Sequence, residues 1–225
     1  MSSKRKVYAI AAAVLSLAFS QQPAFSEDRW SSRDEDPIPL KLSTSDHFSN
    51  SVMRARGQVL AILESENSCS AWFREANPDS AEIFASLHYK IRRHDAAFIY
   101  RVTDEWGDRH LKDPWSARTT QAGGPDSTIL LNLDGSFFKS SSTVMQVDGT
   151  FLRPVGHHSL FIASFPGNTA EAKIIILLHE LGHVVGRLPA DDDSWDGSSS
   201  HNTEEVVRHC KQQIRLAAEK PRQHD

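Results

Sequence analysis

The chain has 225 residues, 39% of them hydrophobic and 24% charged, with a formal net charge of −4. That composition excludes a disordered chain, a collagen-like repeat and a coiled coil; with no apolar run of about 18 residues it excludes a polytopic membrane protein, and the charge gives no basic field for nucleic acid. Two cysteines are too few for a disulfide scaffold or an all-thiolate zinc site, so the weight falls on where the eleven histidines sit.

Residues 1–26 read as a cleaved secretory signal. Lys4, Arg5 and Lys6 form the positive start, and Val7 to Ser20 is an apolar run too short to span a bilayer. Ala24-Phe25-Ser26 carries small residues suited to cleavage near Ser26, and Ala18-Phe19-Ser20 is a second possible cut. Removal of this segment takes three positive charges and no negative one, so the mature chain carries −7. A secreted or periplasmic location follows, with no stable membrane anchor. Export to an oxidising compartment makes Cys69 and Cys210 a disulfide pair. The bond closes a loop of about 140 residues, with on the order of 4 kcal/mol of loop entropy at stake.

Residues 27–47 are polar, charged and Pro-containing, the pattern of a flexible arm. A single domain, 48–225, follows. Val52 to Leu63 has apolar residues at helical spacing, and Cys69 to Arg74 reads as a short helical turn. Asp79 caps a predicted helix running to about Arg93, with Ile83, Phe84, Leu87 and Ile91 on one stripe. Ala96 to Val102 reads as a strand, and Gly123-Gly124-Pro125 breaks the turn-rich stretch that follows. Ser127 to Leu133 reads as a strand ending at a hairpin-type turn, Asp134-Gly135. Val144 to Val147 and Thr150 to Arg153 are short strands joined by Asp148-Gly149, and Ser159 to Ser164 is another. His157-His158, just before it, read as loop histidines. Asn168, with Glu171 three residues on, has the capping-box pattern that opens a helix from about Thr169 to Gly186. Asn202-Thr203 are expected to cap a last helix running to about Ala218. Helices, then short strands, then helices indicate an α+β domain.

The chemistry lies in Ile174-Ile175-Ile176-Leu177-Leu178-His179-Glu180-Leu181-Gly182-His183. At i and i+4 the two imidazoles project from one helix face, a separation that suits two nitrogen ligands on one Zn²⁺. Glu180 can reach a metal-bound water without being a ligand and take its proton as general base. The helix is apolar nearly all round and so is buried. Two histidines and a glutamate left unpaired there would cost several kcal/mol, and a metal with its water satisfies all three.

His179-Glu180-Leu181-Gly182-His183 in this apolar setting resembles the active-site helix of the zincin metallopeptidases. The resemblance implies a small mixed or antiparallel sheet packed on the buried metal helix with flanking helices. It also implies a peptide or protein substrate extended along an edge strand, for which Ser127–Leu133 and Ser159–Ser164 are the candidates. The activity implied is exported, zinc-dependent peptide hydrolysis. The alternative is a non-catalytic secreted protein of the same fold that binds zinc or a partner.

The third ligand departs from the metzincin pattern. Gly186 is in its place, but Pro189 stands at the next ligand position, and no Met follows the motif. Asp191 is the first candidate, able to swing back after the turn Gly186 permits. Asp192 is the next, and Glu204, 21 residues after His183, is the gluzincin-like alternative, with Glu205 beside it and His201 a further candidate. No Tyr follows Tyr100, which leaves His201, His209 and Arg187 as the candidates for stabilising a transition state.

Overall fold

The computed structural model of the protein describes residues 38–39, 46–92, 99–103, 109–111, 115–119, 123–148, 151–191 and 198–219. The signal segment with its cleavage sites, most of the 27–47 arm, Arg93, Ala96 and Asp192 lie outside the described residues.

The Asp46 carboxylate accepts from the Phe48 and Ser49 backbone amides at 2.9 Å each and so starts α1, His47–Leu63. Two residues of the arm, Ile38–Pro39, form β1. Asn67 and Ser70 form a reciprocal capping box that opens α2, Ser68–Ala76, and α3 follows at Ser80–Ser86.

The helix expected to reach Arg93 stops seven residues short, at Ser86. Leu87 turns extended, and His88–Arg92 is a strand, β2. From His88 on, polar and apolar residues alternate, and that period of two wins over the helical stripe. Ile83, Phe84 and Leu87 still lie buried together, and Tyr89 joins them from the strand.

The strands β3 (Ile99–Thr103), β4 (Arg109–Leu111), β5 (Ala117–Thr119), β6 (Thr128–Asn132), β7 (Ser141–Asp148) and β8 (Phe151–Ser159) form two four-stranded sheets with β1 and β2. The first has the order β1-β2-β6-β5, with β2 and β6 parallel and the outer pairs antiparallel. The second has the order β4-β3-β7-β8, with β3 and β7 parallel. Both sheets are therefore mixed.

Three strand expectations are corrected. Ser127–Leu133 is the interior strand β6, flanked on both sides, so it offers no edge; the edge beside it is β5. Asp134-Gly135 is a turn but not a hairpin, since β6 pairs with β2 and β5 and the chain moves on to the other sheet. Gly135 sits where a side chain would strike the backbone of Trp115 and Ser116, so the turn presses on the segment leading into β5. Of Ser159–Ser164 only Phe161–Ile162 is a separate strand, β9, in a small hairpin with Phe165–Pro166, β10. Ala163 turns that corner with a positive φ of 51°. His157 and His158 lie within β8 rather than in a loop. The β7–β8 hairpin pairs Asp148 with Phe151, as the Asp148-Gly149 signal predicts.

Helix α4, Ala170–Val184, is the centre of the core. Its cap is Thr169 rather than Asn168: Asn168 has φ 63°, whereas a cap needs the extended backbone that Thr169 supplies while accepting from the Ala172 amide. Ile174, Ile175, Ile176, Leu177, Leu178 and Leu181 are all buried, as an apolar all-round helix requires. α4 packs against α1, β5, β9, β10 and the last helix, α5, Ser198–Glu219. Asn202 and Thr203 therefore lie inside α5 rather than at its cap, because their side chains are drawn elsewhere. The disulfide Cys69–Cys210 forms as expected and ties α2 to α5. Among the described residues no helix is long and apolar enough to cross a membrane.

Candidate metal centre

The last two turns of α4 put His179, Glu180 and His183 at the end of the core. The two imidazoles meet edge to face, with Nε2 of His179 2.9 Å from Nε2 of His183. Beyond His183 the chain reverses at Gly186, whose φ is +72°, a conformation open to glycine at little cost. The amides of Arg187 and Leu188 then both donate to the Gly182 carbonyl, at 2.8 and 3.0 Å, and close the helix end.

The reversal folds Leu188 onto Gly182. A Cβ at Gly182 would lie 2.5 Å from Leu188 Cδ1 and 2.7 Å from its Cγ, so the motif's glycine is the seat of the return loop. Three residues later Asp191 arrives at the histidines. Its Oδ2 is 3.0 Å from His179 Nε2, and its Oδ1 is 3.5 Å from His183 Nε2. Gly182→Ala is expected to push Leu188 out, lower stability by about 1–3 kcal/mol and weaken metal binding with it. Thermal unfolding and a chelator competition on that variant check both effects. A stable variant with wild-type metal affinity would mean that Leu188 does not guide Asp191.

One donor atom each from His179, His183 and Asp191 lie within 4.8 Å of one another, so the group could hold a metal ion. The chemistry of the set fits one. Two imidazole nitrogens and a carboxylate converge on one point, as the ligand atoms of a single ion do. His183 Nδ1 is buried and makes no hydrogen bond of ordinary geometry; the Leu188 backbone gives it only a poorly aligned contact. Within the set, charge pairing outweighs burial. Burial works against a charge on His183, but the Asp191 hydrogen bond and the Glu180 charge outweigh it and raise its pKa. Burial alone would raise that of Asp191, yet the hydrogen bonds from His179 and His183 hold it well below the usual carboxylate range.

Glu180 is 4% exposed, beside the three donors but not among them. Its Oε2 accepts from Thr119 Oγ1 at 2.8 Å, the last residue of edge strand β5. Burial pushes its pKa up, against the lowering effects of His179, Thr119 and His183.

Two residues of α5 close the site from the other side. Thr203 Oγ1 is 3.0 Å from His179 Nδ1, and Asn202 donates to Asp191 Oδ1 at 2.7 Å and to the Pro189 carbonyl at 3.1 Å. Sequence reasoning missed these contacts and that of Thr119. A polar pair inside the apolar stripe of α5 is the only signal that pointed to the first two, and nothing in its strand marks Thr119.

The other ligand candidates fall elsewhere. Glu204 is exposed, and Glu205 bridges Arg208, His201 and His209. Arg187 pairs with Glu75 at 3.0 Å and lies over the Trp72 ring, and the His209 ring stacks on the same indole. Their side chains are thus held on Trp72, while His201 is turned toward Glu205. His157 and His158 join no metal-capable group among the described residues. No family model, no curated protein and no solved structure matches this chain.

Proposed function

We propose that this chain is an exported zinc-dependent metallopeptidase of zincin type, with His179, His183 and Asp191 as metal ligands and Glu180 as general base. The observation that carries the reading is the convergence of those three donors beside a buried carboxylate that is not one of them. Two histidines and a carboxylate are a donor set used for catalytic zinc, with a fourth position left for water. Tetrahedral coordination at 2.0–2.1 Å spaces ligand atoms by about 3.3 Å; here the two imidazole nitrogens are 2.9 Å apart, and the Asp191 carboxylate meets them through Oδ2 at 3.0 Å from His179 and Oδ1 at 3.5 Å from His183.

A zinc ion held there supplies Lewis acidity, lowering the pKa of a water and polarising a peptide carbonyl. The residues of the chain do the rest. Thr119 holds one oxygen of Glu180, so the other takes the proton of the attacking water and hands it to the departing amine nitrogen. The upward shift that burial gives the Glu180 pKa makes it a stronger base for the first transfer. Edge strand β5 ends at Thr119, so a peptide extended along it would bring its carbonyl to Glu180. The mixed sheet on α4 supports the zincin-type packing, and the disulfide supports an oxidising, extracytoplasmic location.

Cleavage of a mixed peptide library by the purified protein tests the reading. Activity that a chelator abolishes and zinc restores is the expected result, with about one zinc per chain. A non-catalytic zinc-binding protein is the second reading. It is favoured by the engagement of Arg187 and His209 with Trp72, which leaves no transition-state stabiliser evident among the described residues.

The pH dependence of metal stabilisation has a defined sign. In the metal-free protein, Asp191 contributes stability above its unfolded value of 3.8 and loses it as pH falls. His183 contributes below its unfolded 6.5 and loses it as pH rises through its raised folded value, and the raised Glu180 behaves the same way above 4.5. The metal-free protein is therefore less stable at pH 8 than at pH 5. Zinc replaces the missing protons, so its effect on Tm is larger at pH 8. Zinc at a thousand times Kd adds about 4 kcal/mol, on the order of 10 °C for a chain of this size. A Tm gain equal at both pH values would place the metal away from these groups.

A further inference from the structure

The hydroxyl of Thr203 stands between two partners, the Ser199 carbonyl at 2.9 Å and His179 Nδ1 at 3.0 Å. A carbonyl oxygen can only accept, so it takes the one proton a hydroxyl has to give. The Thr203 oxygen is then an acceptor toward His179, and the hydrogen of that contact belongs to Nδ1. With a metal on Nε2, the imidazole keeps its one hydrogen on Nδ1, where the Thr203 oxygen is placed to accept it. Nε2 is the atom that faces His183 Nε2 and Asp191 Oδ2.

The preceding residue acts on the other donor. Asn202 is 1% exposed and holds Asp191 Oδ1 and the Pro189 carbonyl through one amide nitrogen. An amide N–H donates without neutralising the carboxylate. It fixes the loop by its backbone and the ligand by its side chain together. Two neighbours on α5 thus grip a ligand from α4 and a ligand from the loop that follows it.

We propose that Thr203 and Asn202 are the positioning residues of the metal centre. Thr203 decides which nitrogen of His179 is free to bind, and Asn202 sets the Asp191 carboxylate against it. The inference rests on reading the centre as a metal site. Neither residue touches substrate; both act through a ligand, the role that partners outside the coordination shell play in orienting metal-bound histidines and carboxylates.

The test measures Zn²⁺ affinity of the full-length exported protein by competition with a chromophoric chelator. It is paired with ¹⁵N NMR of the imidazoles in the zinc-loaded state. Thr203→Val keeps the shape and removes the acceptor; it is expected to weaken zinc binding about 10–100-fold and to expose the His179 Nδ1 hydrogen to faster exchange with water. Thr203→Ser restores the acceptor and should bring both readouts back to within about threefold of wild type. Asn202→Ala is expected to weaken binding about tenfold or more.

Wild-type affinity in both Thr203→Val and Asn202→Ala overturns the proposal. So does Thr203→Ser binding as weakly as Thr203→Val, since that would make the threonine's role one of packing. If Thr203→Val does not fold, the wild-type spectrum decides: a zinc-loaded His179 with its hydrogen on Nε2, or with an Nδ1 hydrogen in free exchange with water, overturns the proposal, and a slowly exchanging hydrogen on Nδ1 supports it. A wild-type chain that binds no zinc overturns this inference together with the metallopeptidase reading. Binding by the wild type with unaffected variants overturns this inference alone.

Discussion

Glu180→Gln is expected to keep its zinc and to lose peptide hydrolysis by a factor of about 10²–10⁴ in kcat, the contribution of a positioned general base. The substitution isolates one function because the carboxylate is not one of the converging donors. Gln has the same shape, and its carbonyl oxygen can still accept from the Thr119 hydroxyl, so the buried bond at 2.8 Å survives. Only the ability to take and return a proton disappears. The pH profile checks this independently. In the wild type the acidic limb of kcat/KM reports deprotonation of a group whose pKa burial has raised. That limb should vanish from the residual activity of the variant. Zinc content that falls with the substitution would recast Glu180 as a ligand, and full activity would end its assignment as the base. If the wild type shows no hydrolysis while binding zinc, the protein is a binder and the variant has no activity to lose.

Removing the disulfide by Cys69→Ser with Cys210→Ser should cost about 4–5 kcal/mol through the entropy of a loop closed over 141 residues. For a chain of this size that corresponds to a fall in Tm on the order of 10–20 °C. The sulfurs are fully buried, between α2 and α5. The change should reach the metal centre as well, because Asn202 and Thr203 ride on the helix the bond holds. Scanning calorimetry of the double variant, with and without zinc, measures both effects. A Tm within about 2 °C of wild type would show that packing of α5 on α4 and α1 suffices by itself.

The parts of the site legible in the sequence were those set by short spacing. His179, Glu180 and His183 follow from the period of one helix. Asp191 stands first among several carboxylates, with Asp192 and Glu204, because the turn that Gly186 allows returns its loop toward the histidines; its final placement also uses Asn202 of α5. The parts not legible depend on where remote elements dock. Thr119 is one polar residue in a three-residue strand, and its value comes only from β5 lying against α4. Asn202 and Thr203 look like a helix start because their residue types favour caps. Their side chains point instead at Asp191 and His179, and α5 begins four residues earlier. The same contest decided the fold. The stripe Ile83, Phe84, Leu87 reads as helix, but Tyr89 is buried from a strand because β6 offers a parallel partner from His88 to Arg92. Ser127–Leu133 was readable as a strand, but its place inside the sheet depends on β5, whose pairing residues carry no strong strand signal.

All three donors of the centre lie in the thirteen residues from 179 to 191, whereas the two residues that grip them arrive with the last helix. The order in which a chain emerges from a ribosome or a translocon follows its sequence. The donors therefore become available before their supports do. On the proposed reading, a metal met by the emerging segment would be held tightly only once α5 docks and Cys210 finds Cys69. If the group holds a metal as proposed, completion of the fold and tightening of the metal become one event, and the affinity of the centre reports that α5 has docked and the disulfide has closed.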